Sequence, residues 1–163
     1  MSVQAKNQVS LVGSLDGGGS PAALPFPEAA SQTFLIDSLV YLSNGSVVAC
    51  ASSATLVYGI ARKAATGSTG SIIPVIPLLI SSLLSMNVYH STSASAVTVA
   101  TDLGKKYSMN LDSSKHFFYV DISATSPASI VVQGIDPSTV VGDQYGKYLV
   151  TILGSILQYT VGV

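Results

Sequence analysis

Tryptophan is absent from this chain, cysteine occurs once, histidine twice, and charged residues make up only 9% of its 163 positions. Each scarcity removes a class of function. A lone Cys50 cannot form an internal disulfide, and inside the apolar run VVACA it reads as a small core residue rather than a reactive thiol. With only His90 and His116 beside it, a closed zinc site would need carboxylates from scattered turns, and no ligand spacing suggests one. No metal or cofactor is expected. No Gly-x-Ser-x-Gly context singles out a serine, both histidines read as surface groups, and no catalytic residue is assigned, so the chain is not read as an enzyme. Seven Lys/Arg against eight Asp/Glu give a net charge of -1 without the clustered cations that displace phosphate counterions, which argues against nucleic acid as a partner.

What remains is apolar and small. Apolar residues reach 48%, enough for one domain with a real core. A surface with so few charges is covered by Ser, Thr, Gly, Asn and small apolar groups, and it protects poorly against association, so a homo-oligomer is expected. Residues 1–31, with Gly17-Gly18-Gly19 and then Pro21, Pro25 and Pro27, read as an extended or flexible N-terminal arm whose prolines interrupt regular hydrogen bonding. Within it Leu24, Pro25 and Phe26 form an apolar island suited to anchoring on a neighbouring subunit. The opening MSVQAKNQVSLVGSLDGGGS lacks the basic start and continuous apolar segment of a signal peptide, so export by the general secretory route is not expected.

Residues 32–163 read as a β-domain. Strands at 39–42 and 47–51 flank Asn44-Gly45, which supplies the positive φ angles of a type I′ hairpin turn. Asn44-Gly45-Ser46 also matches a glycosylation acceptor, but the turn accounts for it. A third strand covers 56–61, where Gly59 marks a bulge or close backbone approach. The small-residue loop 64–71 lacks the Gly-Lys-Ser/Thr ending of a phosphate-binding loop and reads as a connection. Further strands are predicted at 97–100, 106–111, 116–121, 129–133, 148–153 and 156–159, with Tyr107, Met109 and Leu111 facing the core. Asp102, Asp112, Asp136 and Asp143 sit in turns, where local backbone bonds explain them. Short strands without sustained helical periodicity predict an all-β fold, a single small β-barrel or β-sandwich with an extended N-terminal arm.

Residues 72–88 carry no charge, which raises a membrane span as an alternative. The run falls short of the roughly 20 residues a spanning helix needs, and it is broken by Pro74, Pro77, Ser81-Ser82 and Ser85. Two strands, 72–79 and 83–89, are the preferred reading, without a membrane partner, and the prolines suggest an edge or bulged position for the first.

Three stretches, TFLIDSLVYLSNGSVVACASSATLVYGIA, MNVYHSTSASAVTVATDLGKKYSM and VVQGIDPSTVVGDQYGKYLVTILGSILQ, resemble the small capsid decoration, or cement, proteins of tailed bacteriophages. The resemblance implies a virion structural protein without catalysis, made in the host cytoplasm. It would bind the outside of an icosahedral shell of major capsid protein, commonly as a homotrimer, and stabilise it. The segment IPLLISSLLSM is more apolar than a solvent-facing one, which marks Leu78, Leu79, Leu83 and Leu84, with Leu24, Pro25 and Phe26, as candidate subunit or capsid contacts. Competing readings are a host- or glycan-binding module with the eight tyrosines as its surface, a hydrolase with an unrecognised site, and a small membrane protein using residues 72–88.

Overall fold

The computed structural model describes residues 3–5, 8–52, 54–112 and 117–158. Among these, the strands are β1 (Ser10–Ser14), β2 (Leu24–Pro27), β3 (Leu39–Ser43), β4 (Ser46–Ala49), β5 (Gly59–Ala61), β6 (Ile72–Pro77), β7 (Ser82–Tyr89), β8 (Lys106–Asp112), β9 (Phe117–Asp121), β10 (Ile130–Ile135) and β11 (Lys147–Ile152). The helical content is three short 3-10 turns, at Ser93–Ser95, Ala100–Asp102 and Gly154–Ile156. The fold is all-β, as predicted, and of the two alternatives the barrel is the one observed.

Strand pairing closes one sheet outright and brings the ends of the other together through a single bridge. In the second, the order is β7-β11-β10-β8-β9, and β9 returns to β7 through the parallel pairs Val88–Val120 and Tyr89–Asp121. In the first, the order is β2-β6-β5-β3-β4, and the parallel bridge Glu28–Val47, with Ala29 N donating to Val47 O, brings β4 back to the end of β2. Each barrel is thus a five-stranded sheet in which neighbours are antiparallel except where the third strand in sequence meets the first.

The two barrels share more than strand order. Matching the pairings strand by strand places Leu24 with Leu84, Val40 with Tyr107, Val47 with Val120, Ala61 with Val132 and Val75 with Val150, and the register closes consistently around both barrels. Individual backbone bonds recur under the same correspondence. Ser38 N to Leu35 O is matched by Lys105 N to Asp102 O, Asp37 N to Ala61 O by Gly104 N to Val132 O, and Leu78 N to Tyr58 O by Leu153 N to Ser129 O. Asp37 and Gly104 are both left-handed, at φ 65° and 78°. The chain is therefore a structural tandem of one barrel, whose two copies follow each other directly between Pro77 and Ser82.

Alternation fills each interior. Val40, Val47, Ala61, Ile73 and Val75 form the core of the first barrel; the matching Tyr107, Val120, Val132, Tyr148 and Val150 lie in the core of the second. The outward side of the first barrel is buried too. Leu39, Cys50 and Ile60, with Tyr41 beside them, pack into the larger core together with second-barrel residues. A strand covered on both faces has no polar side to show, which is why Leu39-Val40-Tyr41-Leu42 is a continuous apolar run instead of an alternating one. At the positions of β8 that match Leu39 and Tyr41, the second barrel carries Lys106 and Ser108.

Several expectations need correction, beginning with the prolines of the stretch read as an arm, which carries the strands β1 on β7 and β2 on β6. Its prolines do not interrupt the β2–β6 ladder because Pro25 lies opposite Pro74, whose carbonyl turns the other way to accept from Arg62 N, so neither ring is asked to donate to the other. Strand β6 is not an edge, being paired with β2 and β5. Residues 97–100 form no strand: Val97 makes an isolated bridge to Gln144, and Ala100 opens a 3-10 turn. Residues 156–158 likewise replace the last predicted strand by a turn and a bridge from Leu157 to Val57. There the Gln158 side chain grips Leu42, accepting from its N–H at 2.7 Å and donating to its carbonyl at 2.6 Å. Residues 72–88 form β6 and β7, and no helix among the described residues is long and apolar enough to cross a membrane. The turn at Ser113-Ser114-Lys115, His116 and Tyr159 lie outside the described residues.

Candidate functional site

Among the described residues no group of three or more His, Cys, Asp or Glu gathers as metal ligands would. The acidic side chains instead hold the chain to itself. Glu28, fully buried at the closure of the first barrel, accepts from Thr66 N, the Thr66 hydroxyl and Gly67 N at 2.7–3.0 Å. The loop dismissed as a phosphate cradle does bind an anion with its backbone, and the anion is the chain's own carboxylate. Burial pushes the Glu28 carboxyl up, but these hydrogen bonds, helped by Lys63, outweigh it and hold the group below its ordinary value of 4.5. A depressed value means stability present above pH 4.5 and lost as pH falls through the folded-state value. The urea midpoint is accordingly expected to be flat from pH 7 to 5 and to drop below the carboxylate range. Glu28→Gln should lower the pH 7 midpoint and flatten the acid slope; an unchanged slope would remove Glu28 from this account.

Asp102 was expected to bond its local backbone. It lies buried and accepts from the Tyr107 hydroxyl at 2.8 Å and the Tyr148 hydroxyl at 2.7 Å, with Lys105 Nζ at 3.1 Å. Burial, reinforced by Asp102, pushes both tyrosine hydroxyls well up, so they remain donors. In the first barrel the matching positions are Leu35, Val40 and Ile73, so an apolar trio stands where the second carries a polar one. Asp136 does follow turn chemistry, accepting from Ser138 N and its hydroxyl, and also from Ser85.

The predicted contact residues divide. Leu78 and Leu84 are fully buried in the chain's own core and present nothing to a partner, because the ends of β6 and β7 turn them inward. Phe26 is half-buried and meets Tyr58 edge-on at 5.3 Å, and Leu83 is half-buried on β7. Leu24, Pro25 and Leu79 are exposed. Sequence reading missed Ile80, 62% exposed, and Leu15, 56% exposed. Leu15 N donates to Ser81 O, which sets Leu15 beside Leu79 and Ile80 at the β6–β7 corner. This corner adds Leu15 and Ile80 to the predicted set; exposed apolar side chains also occur elsewhere, as at Val140 and Val141.

Tyr89 and Tyr119 stack at 4.4 Å between centroids on the second barrel, and burial with Tyr89, Asp121 and Asp112 nearby pushes the Tyr119 hydroxyl up to about 12. An apolar cavity of about 190 Å³ lies between the barrels, lined by Phe34, Leu39, Cys50, Leu111 and Phe118. Cys50 faces it as a core residue; burial pushes its thiol well up and its Sγ lies 3.3 Å from Leu56 O. No family model, curated protein or solved structure matches the chain.

Proposed function

We propose that the chain is a non-catalytic virion structural protein, a decoration or cement protein that binds the outside of an icosahedral capsid as a homo-oligomer, with a trimer favoured. The observation that carries this reading is the exposed apolar corner of Leu15, Leu79 and Ile80 on a scaffold with few charges to oppose contact. Asp16 beside it accepts from the Ser14 and Ser81 hydroxyls and from Gly18 N, which holds the turn after β1 and suits a part that must be rigid. The resemblance of three sequence stretches to decoration proteins supplies the particular partner. A shell offers many copies of one surface, and several modest contacts around a symmetry axis combine by avidity.

The test is co-sedimentation of the purified chain with assembled, expanded shells and, separately, with unassembled shell subunits. Retention by shells alone is expected, weakened at least about tenfold, or about 1.4 kcal/mol, by Leu79→Ser with Ile80→Ser. Equal binding to both forms, or none to shells, would overturn the reading.

A further inference from the structure

The tandem makes β1 stand out, because the barrel does not need it. The first barrel closes with five strands, and the second closes with its matching five; β1 is an eleventh strand laid on the outside of β7. It pairs Ser10 with Ser85 and Leu11 with Leu84, then after a bulge Gly13 with Leu83 and Ser14 with Ser82. The residues before it follow the same barrel: Gln4 N donates to Gln144 O, Asn87 Nδ2 donates to Ala5 O, and Val9 is buried in the core. Everything described from Val3 to Ser14 thus lies on the second barrel, while β2 begins the first.

The β7 edge is built to take a strand, and its counterpart is built to refuse one. On β7, Val88 N bonds Gly146 O toward β11, so the odd-numbered positions turn their backbone the other way, Ser85 toward β1 and Tyr89 toward β9, where Ile122 N donates to Tyr89 O. On β2, Glu28 N bonds Ser71 O toward β6, so the odd-numbered positions turn outward, and those corresponding to Ser85 and Asn87 are Pro25 and Pro27. Neither has an N–H to offer. Each copy of the chain therefore carries one donor strand and one acceptor edge, which its own β1 fills in this structure.

The tether between them is loose. Ser14 and Asp16 close a turn at the end of β1, with Asp16 accepting from Gly18 N, and then Gly18-Gly19-Ser20-Pro21-Ala22-Ala23 runs outside both sheets to β2. Extended, those six residues span roughly 20 Å. Pairing between β1 and β7 is indifferent to which copy supplies the strand, and β1 carries no charge to repel a second copy.

We propose that the β7 edge is a strand-acceptor site for Ser10–Ser14 of a second copy, so that the chain assembles by exchange of its N-terminal strand. One donor and one acceptor per copy give reciprocal dimers or closed rings. This does not depend on the capsid reading, although the two surfaces adjoin and Leu15 of the exposed corner would travel with the exchanged strand.

The experiment mixes two full-length variants, Ser10→Cys and Ser85→Cys, refolds them together over a hundredfold range of concentration, and oxidises them. A covalent heterodimer is expected, its fraction rising about tenfold or more with concentration, while wild-type chain, with Cys50 buried, stays uncrosslinked. Deleting residues 18–23 should convert any monomer to larger species by native mass. The proposal is overturned if the mixture yields no heterodimer while Ser10→Cys with Ser85→Cys in one chain crosslinks only internally at every concentration. That second readout holds even where the deletion variant fails to fold.

Discussion

Gly59→Ala is expected to lower stability by about 4 kcal/mol or more, enough to leave much of the protein unfolded. A Cβ at Gly59 would stand 2.2 Å from Ile76 O and 2.8 Å from Val75 Cγ1. Ordinary overpacking costs about 1–3 kcal/mol because side chains rotate away. Here the first obstacle is a backbone carbonyl on β6, a strand held on both sides by β2 and β5, so it cannot retreat without disturbing three strands. Gly134→Ala serves as the control, since its Cβ would meet Leu149 at an ordinary 3.7 Å and should change stability by less than about 1 kcal/mol. Urea denaturation of the two variants decides the matter; equal midpoints would refute it. Ile130, at the position matching Gly59, carries a full buried side chain, and Val132 stands where the first barrel has Ala61. Among the described glycines, Gly59 is the one whose added Cβ would meet the nearest atom.

Asp102→Ala is expected to cost about 3 kcal/mol. The substitution removes the carboxylate that two buried tyrosine hydroxyls address, and Tyr107 then has no acceptor in place of it. Tyr148 keeps its bonds with Val99, and Lys105 is half exposed, so its ion pair contributes under about 1 kcal/mol. Removing the hydroxyls as well should help, because an apolar group loses nothing by lacking a partner. Asp102→Ala with Tyr107→Phe and Tyr148→Phe should recover about 1–2 kcal/mol over the single variant in thermal or urea unfolding. A triple variant no more stable than Asp102→Ala would mean that the cost was a cavity and not unmet hydrogen bonds.

Local chemistry was legible and distant pairing was not. Asn44-Gly45 announced the β3–β4 turn, and the two residues take φ of 49° and 77° as that turn requires. The uncharged run 72–88 was resolved into two strands by its prolines and serines, and Gly59 announced a close approach that Ile76 confirms. Prolines misled in the other direction: Pro25 and Pro74 each look like a broken ladder until they are seen facing one another. The Asp102 cluster was hidden because its tyrosines arrive from β8 and β11, and Leu78 and Leu84 looked like contacts because apolar residues at a strand end do not reveal which way they turn. The tandem itself left little trace. Leu24 and Leu84 are 60 positions apart while Val75 and Val150 are 75 apart, so no constant period exists, and few matched strand positions share a residue.

The placement of β1 also sets an order of events during synthesis. Each barrel is contiguous in the chain, so the first can close once Pro77 has emerged, before any of β7 has been made. Strand β1 leaves the ribosome ahead of both barrels, yet the edge it covers arrives with Ser82–Tyr89 and is set in a closed barrel only after Ile152. A strand made before either barrel is thus among the last to be placed. Throughout that interval it is an unpaired strand beside whatever newly completed neighbour is within reach.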